Sequence, residues 1–116
     1  MTSPTRNTVF FAINLLLIAG LAVSLAFAAS TKTFTGTVSD SMCGAKHAMP
    51  DAAACTRACV SKGSKYALVV GAKVYTLETS NQAALATLDK QAGAKATVTG
   101  TEKDNTITVS SVKAAN

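Results

Sequence analysis

From Thr33 the chain alternates. Phe34, Gly36 and Val38 fall between threonines and Ser39 in TFTGTVS, the two-residue period of a β-strand. A glycine inside such a run marks a bulge or a tight bend, here at Gly36. Further on, KYALVVGAKVYTLE reads as a hairpin. Tyr66 to Val70 forms one strand, Gly71-Ala72 turns, and Lys73 to Glu78 returns. A Gly-first two-residue loop suits a type II′ turn. The period then changes. In TSNQAALATLDKQAG, Ala84, Leu85 and Leu88 share one helical face, with Ser80 placed to cap the helix and Gly93 to stop it. Lys95 to Thr101 and Thr106 to Val112 are two closing strands, joined by a polar turn at Lys103-Asp104-Asn105. Val98, Ile107 and Val109 are their inward positions.

This order predicts a mainly β fold: a small five-stranded OB-like barrel with one helix between strands 3 and 4. A short cysteine-bearing helical insertion follows strand 1. An open five-stranded sheet capped by the helix is the alternative. No internal repeat or low-complexity linker divides the pattern, so residues 29–116 are expected to form a single domain.

The N-terminus changes the setting. A polar start with one positive charge, MTSPTRNT, precedes the uncharged stretch VFFAINLLLIAGLAVSLAFAA. Ala26-Phe27-Ala28 then supplies the small-x-small pattern of a signal-peptide cleavage site, so residues 1–28 are expected to be a signal peptide. Val9 to Ala29 is also long enough to cross a bilayer, which keeps an uncleaved anchor as the alternative and the only membrane contact expected. Either way the domain is expected to be periplasmic or secreted, in a bacterial envelope. There, cysteines tend to be oxidised in pairs, whereas cytosolic ones with the same spacing favour metal or catalysis.

All three cysteines (Cys43, Cys55, Cys59), the single histidine (His47) and two of the three methionines (Met42, Met49) lie in SDSMCGAKHAMPDAAACTRACVSKG. Pro50 suits the first turn of a helix and Gly63 suits its end, so a helix is expected from about Pro50 to Lys62. That helix places Cys55 and Cys59 on one face. Cys43 and His47 have the same four-residue spacing, although Gly44 argues against a helix there.

Taken together, DSMCG, the histidine after it, a C-x3-C followed by Val, GSKYALV and the closing VTGT…TITVSSV resemble a family of short exported bacterial proteins of uncharacterised function. The resemblance covers Thr33 to Val112. It implies an exported OB-like domain and brings with it no activity, substrate or catalytic residue.

The cysteine segment itself admits three readings. Cys43, His47, Cys55 and Cys59 form a C-x3-H…C-x3-C set, a Cys3His shell that zinc accepts as a closed tetrahedral site. The same soft donors, with Met42 and Met49 beside them, also suit Cu(I). The C-x3-C pair plus histidine resembles, locally, the ligand set of periplasmic copper-delivery proteins, which have a different, thioredoxin-like scaffold. Alternatively, Cys43 could bond to Cys55 or Cys59 as a structural staple. Such a loop of about 15 residues is worth on the order of 3 kcal/mol in the chain-entropy model. A Cys55–Cys59 bridge would sit near the upper limit of disulfide geometry. The third reading is thiol chemistry at Cys55 or Cys43, assisted by Arg57, Lys62 and a helix N-terminus. It lacks a C-x-x-C motif, and none of the six acidic residues has a spacing that marks an orienting partner.

Charge and aromatics narrow the partners. Without Arg6, ten basic residues oppose six acidic ones, a net +4 scattered over the chain with no lysine run. Beyond the N-terminal segment the only aromatics are Phe34, Tyr66 and Tyr75, too few for a single-strand stacking platform. Nucleic acid is therefore not expected as a partner. The sequence points to a non-enzymatic binding module that captures copper or zinc. A disulfide-stapled domain for an envelope protein or glycan is the alternative.

Overall fold

The computed structural model describes residues 30–115. The expected signal peptide and its cleavage site lie outside the described residues. Within them the elements are β1 (Lys32–Asp40), α1 (Ala52–Ser61), β2 (Tyr66–Val70), β3 (Lys73–Glu78), α2 (Gln82–Lys90), β4 (Lys95–Lys103) and β5 (Thr106–Ala114). The strands close into a barrel in the order β1-β2-β3-β5-β4, and β4 returns to β1. All neighbours are antiparallel except β3 and β5, which run parallel. This is the OB-type arrangement, with α2 between the third and fourth strands, and the open-sheet alternative does not occur.

β1 makes the closure possible by serving two neighbours. Its first part, Lys32 to Thr37, pairs with β4, and its last part, Thr37 to Asp40, pairs with β2. Gly36 stands just before this handover, where a Cβ would collide with the Val69 carbonyl. The tight bend expected there is thus a close approach of two backbones. The only β-bulge among the described pairings lies elsewhere, at Thr99/Gly100, opposite β5. Bends and bulges of this kind let a short sheet curl enough to close.

Alternation along the strands fills the barrel. Val38, Leu68, Leu77, Ala96, Val98 and Ile107 are buried, with Tyr66 and Tyr75 beside them. Leu88 of α2 plugs this core and is fully buried. Each of the buried valine, leucine and isoleucine side chains contributes on the order of 1.5–3 kcal/mol of burial. Phe34 is half-buried and packs against the Tyr75 ring, with centroids 5.3 Å apart. The aromatic residues therefore serve the packing of the barrel.

Turn chemistry agrees with the sequence at both hairpins. Gly71 has φ +58° at the first loop position, as a Gly-first turn requires. Asp104 and Asn105 both adopt positive φ, 51° and 59°, the left-handed pair that a two-residue type I′ turn needs. Both helix starts fall later than the pattern suggests. Asp51 caps α1, so Pro50 lies outside the helix, and Asn81, not Ser80, caps α2. In each case the side chain accepts two backbone N–H groups of the first turn, which sets the boundary at that residue. No helix among the described residues is long and apolar enough to cross a membrane.

Candidate metal centre

The insertion between β1 and β2 begins at an inward position of the barrel wall. Gly36, Val38 and Asp40 share the inner face of β1, and Asp40 is fully buried. Its Oδ2 accepts the backbone N–H groups of Met42 and Cys43, each at 3.0 Å. The Asp40 carbonyl accepts the Gly44 N–H at 2.9 Å, and the Ser39 hydroxyl donates to the Gly44 carbonyl. Gly44, at φ +59°, reverses the chain. DSMCG is therefore a carboxylate-capped turn that holds Cys43 just beyond the end of β1.

The second half of the site is α1. Asp51 Oδ1 accepts from Ala53 and Ala54 at 3.0 and 3.2 Å, fixing the first turn. At the far end Ser64 N–H closes on the Cys59 carbonyl at 3.1 Å, and Gly63 takes φ +104°. α1 is anchored sideways as well. Gly93 lies so near its start that a Cβ there would come within 2.8 Å of Ala53 N. The Arg57 guanidinium also bonds the Asp89 carbonyl at 2.8 Å and faces its carboxylate at 3.3 Å. These ties direct Cys55 inward and Cys59 toward the rim.

The two halves bring all three thiols together. Cys43 Sγ lies 3.8 Å from Cys55 Sγ and 3.9 Å from Cys59 Sγ. A carboxylate oxygen of Asp40 joins them, and the four donor atoms all lie within 4.8 Å of one another. Zinc–sulfur bonds of about 2.3 Å in a tetrahedron put sulfurs about 3.8 Å apart, so the Cys43 contacts match that edge. All three cysteines are free thiols, so neither the Cys43 staple nor a Cys55–Cys59 bridge is formed.

One member of the expected set stays out. His47 is half-buried and is not among the four converging residues, and its Nδ1 is buried without a hydrogen-bond partner. The reason is local. The C-x3-H spacing aligns two side chains only on a helix, and the reversal at Gly44 breaks that register. Asp40 takes the fourth place instead. A signal for it was present in the alternation of β1, which puts an acidic residue on the strand's apolar face.

Electrostatics divide the thiols. The Cys55 thiol is lowered, chiefly by the backbone N–H of Met49, with Ala48 and Cys43 assisting against the opposing effects of burial and the Asp40 charge. The Cys59 thiol is pushed up to about 11, first by burial and then by its hydrogen bond to Cys43 and the charge of Asp40. Backbone donors at one sulfur favour a thiolate there. Asp40 Oδ1 is buried and makes no hydrogen bond, so the carboxylate that joins the three sulfurs has one uncompensated oxygen. A positive ion among these donors would relieve that cost.

The fold and the site together define the class: an OB-type barrel bearing a Cys3Asp cluster that can hold a metal ion. Comparison with family models, with curated proteins and with solved structures finds no match to this chain.

Proposed function

We propose that this protein captures a thiophilic metal ion, with Cys43, Cys55, Cys59 and Asp40 as its ligands. The observation that carries this reading is the convergence of three thiols on a buried carboxylate with one unbonded oxygen. The donor set favours zinc, which is borderline-soft and takes thiolate and carboxylate together. Cu(I) would use the sulfurs alone and leave Asp40 aside. As part of the same proposal, the protein acts in a bacterial envelope, supported by the uncharged N-terminal stretch and its A-x-A site. Membership of the short exported family is likewise proposed, on the DSMCG, C-x3-C and GSKYALV segments.

Metal analysis with competitive titration of the purified protein tests the assignment. One zinc per chain is expected, and Cys43→Ser, Cys55→Ser and Cys59→Ser should each abolish tight binding. Asp40→Asn should weaken zinc by more than the roughly 10–100-fold typical of an outer-shell change. His47→Ala should leave it nearly unchanged. Copper binding that ignores Asp40→Asn would reassign the ion. No stoichiometric metal on the reduced protein would sink the proposal in favour of a domain that binds a protein or glycan through its barrel.

A further inference from the structure

We infer that the same three thiols exchange with small disulfides, with Cys43 as the obligatory member of the bridge that results. Cys43 is the common neighbour: its sulfur lies 3.8 Å from Cys55 and 3.9 Å from Cys59. Cys55 and Cys59 sit four residues apart on α1, where the helical backbone holds their Cα atoms near the upper limit for a disulfide. Cys43 is on a turn beside Gly44 and, like Cys59, is half-exposed, whereas Cys55 is buried. Of the two accessible thiols, Cys43 is the one whose sulfur neighbours both of the others and whose turn lets it swing toward either.

The chemistry balances without a further reagent. The Cys43 thiolate attacks one sulfur of a low-molecular-weight disulfide, forming a mixed disulfide and releasing one small thiolate. Cys55 or Cys59 then gives its proton to solvent, attacks the Cys43 sulfur and expels the second small thiolate. Two protein thiols are oxidised, one small disulfide is reduced to two thiols, and the third cysteine remains a thiol. A bridge through Cys43 removes two of the four proposed metal ligands. A zinc ion held there leaves as the same divalent cation, with no electron transferred to it. This coupling rests on the metal reading; the pattern of bridging does not.

The test treats the purified protein with glutathione disulfide, alkylates the remaining thiols and counts them by intact mass. The wild type should end with one internal bridge and one alkylated cysteine. Cys59→Ser should bridge Cys43 to Cys55, and Cys55→Ser should bridge Cys43 to Cys59. Cys43→Ser should form no internal bridge. A Cys43→Ser protein that bridges as fast as the wild type would overturn the inference, as would a wild type that stops at mixed disulfides or keeps all three thiols. Should the buried Cys55 variant fail to fold, the contrast between Cys43→Ser and Cys59→Ser still decides. In the zinc-loaded protein, one zinc should reach a chromophoric indicator per bridge formed. Zinc retained after bridging contradicts the coupling. A protein that bridges as expected but never loads zinc counts against the metal reading alone.

Discussion

The barrel and its insertion are built on different physics. The barrel is a closed ring of paired strands around interdigitated aliphatic side chains, and its backbone bonds run from strand to strand. The insertion, residues 41–65, buries only Cys55 and Thr56 within α1 and depends on caps, one reversal and a few polar ties. Regular burial supplies the stability. The chemistry sits where burial is sparse, and there three thiols and a carboxylate converge without a covalent bond between them. A metal ion would give the insertion the cross-linking that its own packing lacks.

The largest test of this contrast is in the core. Leu88→Ala should cost about 2–5 kcal/mol, lowering denaturant stability of barrel and site together. A loss confined to the insertion would mean that α2 is not the plug described. Metal should act the other way round. Zinc at 100 times its dissociation constant should add about 2.7 kcal/mol to global stability. In hydrogen exchange, local opening within residues 41–62 should be suppressed more strongly than in β4 and β5. Equal protection everywhere would argue against a site in the insertion.

Smaller effects sharpen the picture. Asp51→Ala removes the acceptor for two N–H groups of α1 and should cost about 1 kcal/mol. Because that cap orders the helix carrying Cys55 and Cys59, zinc affinity should fall with it, while the β-sheet circular dichroism stays. The pH dependence follows from the thiols. In the metal-free cluster Cys59 keeps its proton up to about 11, so an ion binding near neutrality must displace it. Binding should therefore strengthen from about pH 6 to about pH 8 and weaken on acidification, with protons released on titration. Affinity that does not change over this range would mean that no protonated thiol becomes a ligand.

The hairpins were the most legible part of the sequence, because period-two alternation and Gly71 fix strand, turn and register together. The OB-like fold class followed from the position of the α2 pattern between the third and fourth strands. Helix starts were less legible. Pro50 and Ser80 each carry a helix-start signal, but the side chains that accept the first-turn N–H groups belong to Asp51 and Asn81, one residue later. Within the site, the cysteines could be found by type and spacing alone. The fourth residue could not, because spacing along the chain says little once a turn intervenes. His47 stands four residues from Cys43 yet does not join the group, whereas Asp40 joins it from the end of β1. Reading Asp40 as an inward position, and not simply as one of six acids, would have found it.

The most direct test of the central claim is zinc-edge X-ray absorption on the loaded protein. Three sulfurs at about 2.3 Å and one light atom at about 2.0–2.2 Å, without the outer-shell scattering of an imidazole ring, are expected. Imidazole scattering, or fewer than three sulfurs around the ion, would contradict the assignment of Cys43, Cys55, Cys59 and Asp40.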